Sequence, residues 1–178
     1  MRYRSFRNLP NFLSFFRLVL SPLMLFVPSP HLPGFFLLLA LSDALDGFLA
    51  RRLRAQTELG KVLDPLADKV MLLCGMFICV YRFEAMSEWL LYLSLLRDFS
   101  LVLGAGLITL RRGAVPSARA LGKAYTFFLS LFVALCLWGF SVGELQWLAL
   151  LLLSISWMDY AWTALKVFRS QTSSLLLP

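Results

Sequence analysis

Apolar segments of similar length fill this chain and constrain its fold more than any other feature. The chain is 60% hydrophobic with a mean hydropathy of +0.76, which excludes an ordinary soluble domain. Each segment has about 16 to 22 residues, near the ~20 that a helix needs to cross the hydrocarbon layer. The sequence therefore predicts an all-α polytopic membrane protein with six transmembrane helices. They lie at about 12–27, 34–50, 62–81, 89–110, 121–140 and 146–166.

The two ends of the chain are predicted to lie outside these spans. Residues 1–9 alternate basic and aromatic side chains, which favours a short N-terminal interfacial (juxtamembrane) helix. Residues 170–178 are short and polar at first, so we expect a loose tail. The length of 178 residues is that of a single domain, expected to span 1–178.

Basic residues are distributed unevenly between the polar breaks, and this predicts the orientation in the membrane. The start of the chain and the stretches 51–61, 111–123 and 166–169 are basic. The breaks that alternate with them, at 28–34, 82–88 and 141–145, contain a single Lys or Arg residue, Arg82. Lys and Arg are retained on the cytoplasmic side, so both termini are expected there. Orientation and anionic membrane lipids thus account for the net charge of +7, and no nucleic-acid partner is expected.

Five of the ten acidic residues lie between positions 43 and 68, and four of them are the aspartates Asp43, Asp46, Asp64 and Asp68. The first pair is spaced to share one helical face, and the second pair is spaced to share a face of the next helix. Four carboxylates converging in a low-dielectric setting would repel one another strongly. Divalent cations remove that conflict, and oxygen ligands suit Mg²⁺ or Mn²⁺. Acidic residues inside a bilayer are functional by default, so we expect the active site here, open to the cytosol.

Small residues accompany these acids at helical spacing. Gly47 and Ala50 share the face of the first acidic pair, and Gly60 precedes the second pair. They leave room for a bulky ligand, such as a nucleotide, to approach the backbone.

The spacing D-x2-D-G-x2-A-R-x8-G-x3-D-x3-D resembles the signature of the CDP-alcohol phosphotransferases, integral membrane enzymes of phospholipid synthesis. All its fixed positions are present: Asp43, Asp46, Gly47, Ala50, Arg51, Gly60, Asp64 and Asp68. The resemblance implies that an alcohol hydroxyl attacks the phosphorus of a CDP-linked lipid and releases CMP. It also implies a homodimer, in a bacterial-type inner or plasma membrane.

Residue roles follow from the same resemblance. Two metal ions, Mg²⁺ or Mn²⁺, would be held by Asp43, Asp46, Asp64 and Asp68, and would neutralise the pyrophosphate. Asp68 would also be the catalytic base for the attacking hydroxyl. The CDP-lipid would be bound by Asn11, Asp43, Asp46, Gly47, Ala50, Arg51 and Gly60.

The acceptor alcohol is less constrained by the motif. The opening N-L-P-N-F-L and the stretch V-P-S-A-R-A-L-G-K-A-Y-T resemble the phosphatidylglycerophosphate synthases of that family, which implies CDP-diacylglycerol and glycerol 3-phosphate as substrates. The acceptor phosphate would then be bound by Arg97, Arg111, Arg112, Arg119 and Lys123. Topology and lipid-surface charge are the alternative explanation for these basic residues. Arg97-Asp98 resembles instead the CDP-diacylglycerol-dependent cardiolipin synthases, whose acceptor is phosphatidylglycerol.

Two other classes of function compete with this interpretation. A cation transporter could use the four carboxylates as its ion site, but it would have polar or broken helices across the whole membrane. A non-catalytic membrane scaffold would tolerate replacement of the aspartates. Neither alternative explains the interleaved small residues.

Overall fold

The computed structural model describes residues 9–53, 58–112 and 120–174. Within these ranges the fold is all-α, as predicted, with six α-helices and no strand. The helices are α1 Leu9–Leu23, α2 Leu32–Leu53, α3 Glu58–Tyr81, α4 Glu88–Arg112, α5 Ala120–Leu137 and α6 Leu145–Ser174. Two single 3₁₀ turns, Met24–Phe26 and Ser29–His31, connect α1 to α2. Each predicted apolar segment thus corresponds to one helix.

The helix ends have local causes. The connection after α1 contains Pro28 and Pro30, which cannot donate backbone hydrogen bonds. At the end of α5, Gly139 has a φ of +80°. Its N–H donates to the carbonyl of Cys136 at 2.9 Å, and the N–H of Phe140 donates to the carbonyl of Leu135 at 3.1 Å. This pair of bonds around a left-handed glycine is a Schellman cap, which satisfies the last carbonyls of the helix.

The C-terminal expectation needs a correction. Helix α6 continues through Ser174, so residues 170–174 of the expected loose tail are helical. No Gly or Pro occurs after Leu145 until Pro178, and so nothing in the sequence stops the helix. Residues 175–178, and residues 1–8 of the expected interfacial helix, lie outside the described residues.

The described residues group into two compact units, and the single-domain expectation stays a prediction. Unit 1 comprises residues 1–86 and 133–141, and unit 2 comprises residues 87–132 and 142–178. In unit 1, α1 packs against both α2 and α3. In unit 2, α4 packs against α6.

Several polar side chains are buried in the described helices, while many large apolar side chains are exposed. On α1, Ser14, Arg17 and Ser21 are fully buried, while Phe12 is 62% exposed and Phe16 50% exposed. On α4 and α6, Ser94, Arg97 and Ser156 are buried together with apolar residues such as Leu90 and Leu153, while many Leu, Phe and Trp side chains are exposed. Such an arrangement is unfavourable in water, where large apolar patches are rare, and favourable in lipid. The exposed apolar side chains are consistent with a membrane protein.

Two helical stretches of the described chain are long and apolar enough to cross a bilayer, Glu88–Gly106 in α4 and Ala120–Leu137 in α5. A third apolar stretch, Phe12–Phe26, is shorter. Helices α2 and α3 carry the charged motif, which lowers their hydropathy. The complete set of six spans stays a prediction.

Candidate active site

Helices α2 and α3 carry the acidic residues in unit 1. Asp43 lies on α2, and Asp64 and Asp68 lie one turn apart on α3. Pro65 stands between the α3 pair without ending the helix. It has no N–H for the carbonyl of Lys61, so this turn lacks one backbone hydrogen bond. The side chains of Asp43 and Asp68 are each 43% exposed, which leaves them accessible to a ligand.

Arg17 of α1 contacts an acid on each of these two helices. Its Nη1 lies 2.8 Å from Oδ1 of Asp43, and its Nη2 lies 3.2 Å from Oδ1 of Asp68. The Arg17 side chain is completely buried. A buried charge is tolerated when it is paired and hydrogen-bonded, and the planar guanidinium can hold two carboxylates at once. Arg17 thus gathers Asp43 and Asp68 at one point.

Ser14 extends this contact to the third described acid. Its hydroxyl donates a hydrogen bond to Oδ1 of Asp64. Ser14 and Arg17 are three residues apart on α1 and therefore lie on the same helical face. That face is turned inward, because both residues are fully buried. One side of α1 thus contacts Asp43, Asp64 and Asp68.

The charges and donor atoms of this cluster suit a divalent cation. Arg17 pairs with two carboxylates, those of Asp43 and Asp68, and Ser14 bonds a third, that of Asp64, so the described contacts bring together more acidic than basic groups. Carboxylate oxygens are the ligands that Mg²⁺ and Mn²⁺ prefer. The contacts from α1 described above reach the Oδ1 atom of each carboxylate, and a carboxylate has a second oxygen that can bind a metal.

The four-carboxylate arrangement itself stays a prediction. Among the side chains that the structure describes, no group of three or more acidic, His or Cys residues lies close enough to hold a metal ion. Arg17 lies between the carboxylates of Asp43 and Asp68. Asp46, the fourth predicted ligand, has its backbone in α2, and its side chain is outside the described part of the chain.

The predicted nucleotide-binding positions are placed only in part. Gly60 is buried in the first turn of α3. The remaining small and basic positions lie on described helices, but their side chains fall outside the described residues, so their role stays a prediction. They are Asn11 on α1 and Gly47, Ala50 and Arg51 on α2.

Arg97, the central residue of the predicted acceptor site, is buried in unit 2. Its Nη1 donates to Oδ1 of Asp98 at 2.8 Å, and its Nη2 donates to the hydroxyl of Ser156 at 2.7 Å. The guanidinium carbon lies 4.7 Å from the centre of the Tyr125 ring, a cation–π distance. Its Nε is buried and has no hydrogen-bond partner among the residues the structure describes. Arg97 therefore keeps a buried donor, Nε, without an acceptor in the described chain.

Packing against Arg97 explains why position 122 is a glycine. A Cβ added to Gly122 would lie 3.3 Å from Nη2 of Arg97, closer than most real contacts. Lys123, the next residue on α5, is exposed. Arg111 and Arg112 end α4, and their side chains, like the whole of Arg119, lie outside the described residues. Nothing in the described chain brings these basic residues together with Arg97.

Sequence reasoning missed Ser14, Arg17 and Ser156 as partners of the functional residues. A signal for Arg17 was present, because it is an ionisable residue in the middle of the apolar segment 12–27. Such residues mark functional sites and face the interior of a helix bundle. The two serines carried no comparable signal, since isolated hydroxyls are common in membrane helices.

Comparisons with known proteins agree with the motif. The sequence profile of the family described as CDP-alcohol phosphatidyltransferase matches residues 7–162. A protein of Aquifex aeolicus named CDP-diacylglycerol--glycerol-3-phosphate 3-phosphatidyltransferase is 35% identical over 90% of this chain and 97% of its own length. A Bacillus subtilis protein of the same name is 32% identical over 67% of this chain and 71% of its own. A Streptomyces coelicolor protein named cardiolipin synthase (CMP-forming) is 33% identical over 87% of this chain and 75% of its own.

Proposed function

The chain belongs to the CDP-alcohol phosphatidyltransferase family, and we propose that it transfers the phosphatidyl group of CDP-diacylglycerol to glycerol 3-phosphate and releases CMP. The observation that carries this proposal is the cluster in unit 1, in which Arg17 gathers Asp43 and Asp68 from two different helices. The relatives from Aquifex and Bacillus, matched over most of the chain, support glycerol 3-phosphate as the acceptor.

The family is generally dependent on divalent metal ions. Asp43, Asp46, Asp64 and Asp68 would hold two of them, Mg²⁺ or Mn²⁺. Bound there, divalent metal supplies positive charge against the pyrophosphate and the leaving CMP. The donor chemistry fits, because the candidate ligands are carboxylates, and the side chains of Asp43 and Asp68 are partly accessible.

The protein side chains have distinct tasks in this reaction. Phosphoryl transfer depends mainly on positioning and on charge stabilisation, which a rigid set of carboxylates on two helices provides. Asp68 would accept the proton of the attacking hydroxyl, and its partial exposure gives an alcohol access to it. Gly47, Ala50 and Gly60 would let the nucleotide approach the helix backbones, while Asn11 and Arg51 bind its polar groups.

The acceptor phosphate would be bound by Arg97, Arg111, Arg112, Arg119 and Lys123. The buried Nε of Arg97, which lacks a partner in the described chain, is a donor suited to a phosphate oxygen. Arg97-Asp98 and the Streptomyces relative favour a second candidate, a cardiolipin synthase that uses phosphatidylglycerol. Both acceptors present a hydroxyl group and a phosphate to the same kind of site.

The membrane arrangement completes the proposal. Six transmembrane helices, with both termini and the active site on the cytoplasmic side, would give CDP-diacylglycerol access from the lipid and glycerol 3-phosphate access from the cytosol. The many large apolar side chains exposed on α1, α4 and α6 support contact with lipid. A homodimer is part of the proposal through family membership.

The purified protein, supplied with labelled CDP-diacylglycerol and Mg²⁺, tests this function. We expect CMP release and phosphatidylglycerophosphate formation with glycerol 3-phosphate, and loss of both after chelation with EDTA. Cardiolipin formation with phosphatidylglycerol alone would select the second candidate. Absence of CMP release with every alcohol would refute the proposal, and Mn²⁺ uptake into proteoliposomes would then favour a transporter.

A further inference from the structure

Helix α1 touches the acidic cluster at every acid whose side chain the structure describes. Ser14 donates to Asp64, and Arg17 contacts Asp43 and Asp68. Each of these contacts is made to an Oδ1 atom. These contacts place α1 against the two helices that carry the acids.

We propose that Ser14 and Arg17 are positioning residues, which fix the carboxylates of Asp64, Asp43 and Asp68 in the orientation that binds a divalent cation. The inference rests on the proposed function, because it assumes that these acids are metal ligands. Hydrogen bonds to one oxygen of a carboxylate orient the other, and partners of this kind tune the affinity of metal sites.

The burial of both residues supports a positioning role. Ser14 and Arg17 have no exposed surface, so their polar atoms are directed into the protein and not to a membrane interface. The same face of α1 holds Ser21, whose hydroxyl donates to the backbone carbonyl of Arg17 at 2.7 Å and contacts no acid in the described chain. Ser21 is therefore a matched control: a buried serine on the same helix face that is outside the cluster.

Arg17 also has a geometric role that charge alone would not fill. Its two terminal nitrogens contact acids from two helices, at 2.8 and 3.2 Å. Lysine keeps the charge but has a single nitrogen, so it cannot span both carboxylates in a fixed plane. Replacement by lysine thus separates orientation from charge.

The test measures Mn²⁺ binding to the purified full-length protein without substrate, by electron paramagnetic resonance of free Mn²⁺. We expect Ser14→Ala and Arg17→Lys each to weaken Mn²⁺ binding by about 10- to 100-fold. Ser21→Ala should bind within about twofold of the unchanged protein. In the Ser14→Ala protein, a raised Mn²⁺ concentration should restore most of the rate of CMP release, because the defect lies in metal affinity.

Two results would overturn the inference. One is unchanged Mn²⁺ affinity in the folded Ser14→Ala and Arg17→Lys proteins, which would make both residues structural. The other is tighter binding in Arg17→Lys, which would make the guanidinium a competitor of the metal. If the Arg17→Lys protein does not fold, the Mn²⁺ affinity of the Ser14→Ala protein alone tests the inference. The expected Mn²⁺ pattern without CMP release from any alcohol would refute the proposed function and leave this inference intact.

Discussion

Nη1 of Arg17 lies 2.8 Å from Oδ1 of Asp43, and this contact joins α1 to α2 inside the acidic cluster. The arginine has no exposed surface, whereas the aspartate side chain is 43% exposed. The pair therefore has a buried cationic side and an accessible anionic side. Carboxylates that bind metals are commonly hydrogen-bonded by such partners, so this pair is compatible with the proposed metal site.

Replacement of an acidic ligand should remove activity without unfolding the protein. Asp43→Asn or Asp64→Asn keeps the size of the side chain but removes the charge that attracts the metal. We expect a fall in kcat/KM of at least about 100-fold, equivalent to about 2.7 kcal/mol of transition-state stabilisation. CMP release and the thermal melting temperature of the same preparations provide the measurements.

A surface acid provides the control for these variants. Glu88 is exposed in the first turn of α4 and accepts a hydrogen bond from Tyr92 at 3.3 Å. Glu88→Gln should retain activity within about twofold, since surface changes of this kind have small effects. Substantial activity in either aspartate variant would contradict the role of that carboxylate as a ligand.

The hydrogen bond from Arg97 to Ser156 should contribute to stability. Ser156→Ala removes the acceptor that lies 2.7 Å from a buried guanidinium nitrogen. A buried donor that loses its acceptor costs about 1–3 kcal/mol, so the melting temperature should fall. Ser154→Ala on the same helix is the control, because Ser154 is exposed and bonds only its own helix backbone, at Leu150, in the contacts that the structure describes. Equal melting temperatures for the two variants would contradict a stabilising role for this bond.

Arg97→Lys distinguishes an acceptor-binding role from a structural one. Lysine has no Nε–H and no planar fork, so phosphate binding by Arg97 predicts a rise of at least about tenfold in KM for glycerol 3-phosphate. KM for CDP-diacylglycerol should change little. Arg82→Lys, at an exposed arginine that donates to the carbonyl of Val27, is the control. A lower melting temperature with an unchanged KM would assign Arg97 to packing with Asp98.

Gly75 allows the side chain of Val133 to approach the backbone of α3 closely within unit 1. A Cβ at this position would lie 2.6 Å from Cγ1 of Val133, and valine has one strongly preferred rotamer in a helix. Gly75→Ala should therefore destabilise the protein by about 1–3 kcal/mol. Gly34→Ala meets nothing within 4 Å and should be neutral or stabilising, since alanine favours helix. A similar melting temperature for both alanine variants would contradict this packing.

The helices could be predicted from the sequence, because the length of each apolar segment and the polar stretches between the segments determine them. The start of each apolar segment lies within about four residues of a helix start in the structure, well inside the usual uncertainty of boundaries. The predicted end of α6, at residue 166, was wrong. The C-terminal turns of the helix are polar and so carry no apolar signal, yet they contain no residue that breaks a helix.

The sequence proposes the acidic residues of the candidate site, which stay a prediction, whereas their contacts with α1 could not be predicted. Helical spacing places Asp64 beside Asp68, but it does not reveal which face of α1 packs against them. The contacts of Arg17 and the close approach at Gly75 depend on tertiary packing between helices distant in sequence. Periodicity within one helix carries no information about such pairs.

The central claim is that the carboxylates of α2 and α3 together hold divalent metal against the nucleotide. Crystals grown with Mn²⁺ and CMP, measured for anomalous scattering, test it most directly. We predict Mn²⁺ peaks within ligand distance, about 2 to 2.6 Å, of oxygens of Asp43, Asp46, Asp64 and Asp68. Mn²⁺ peaks located elsewhere, or peaks that touch only one of these four side chains, would contradict the account.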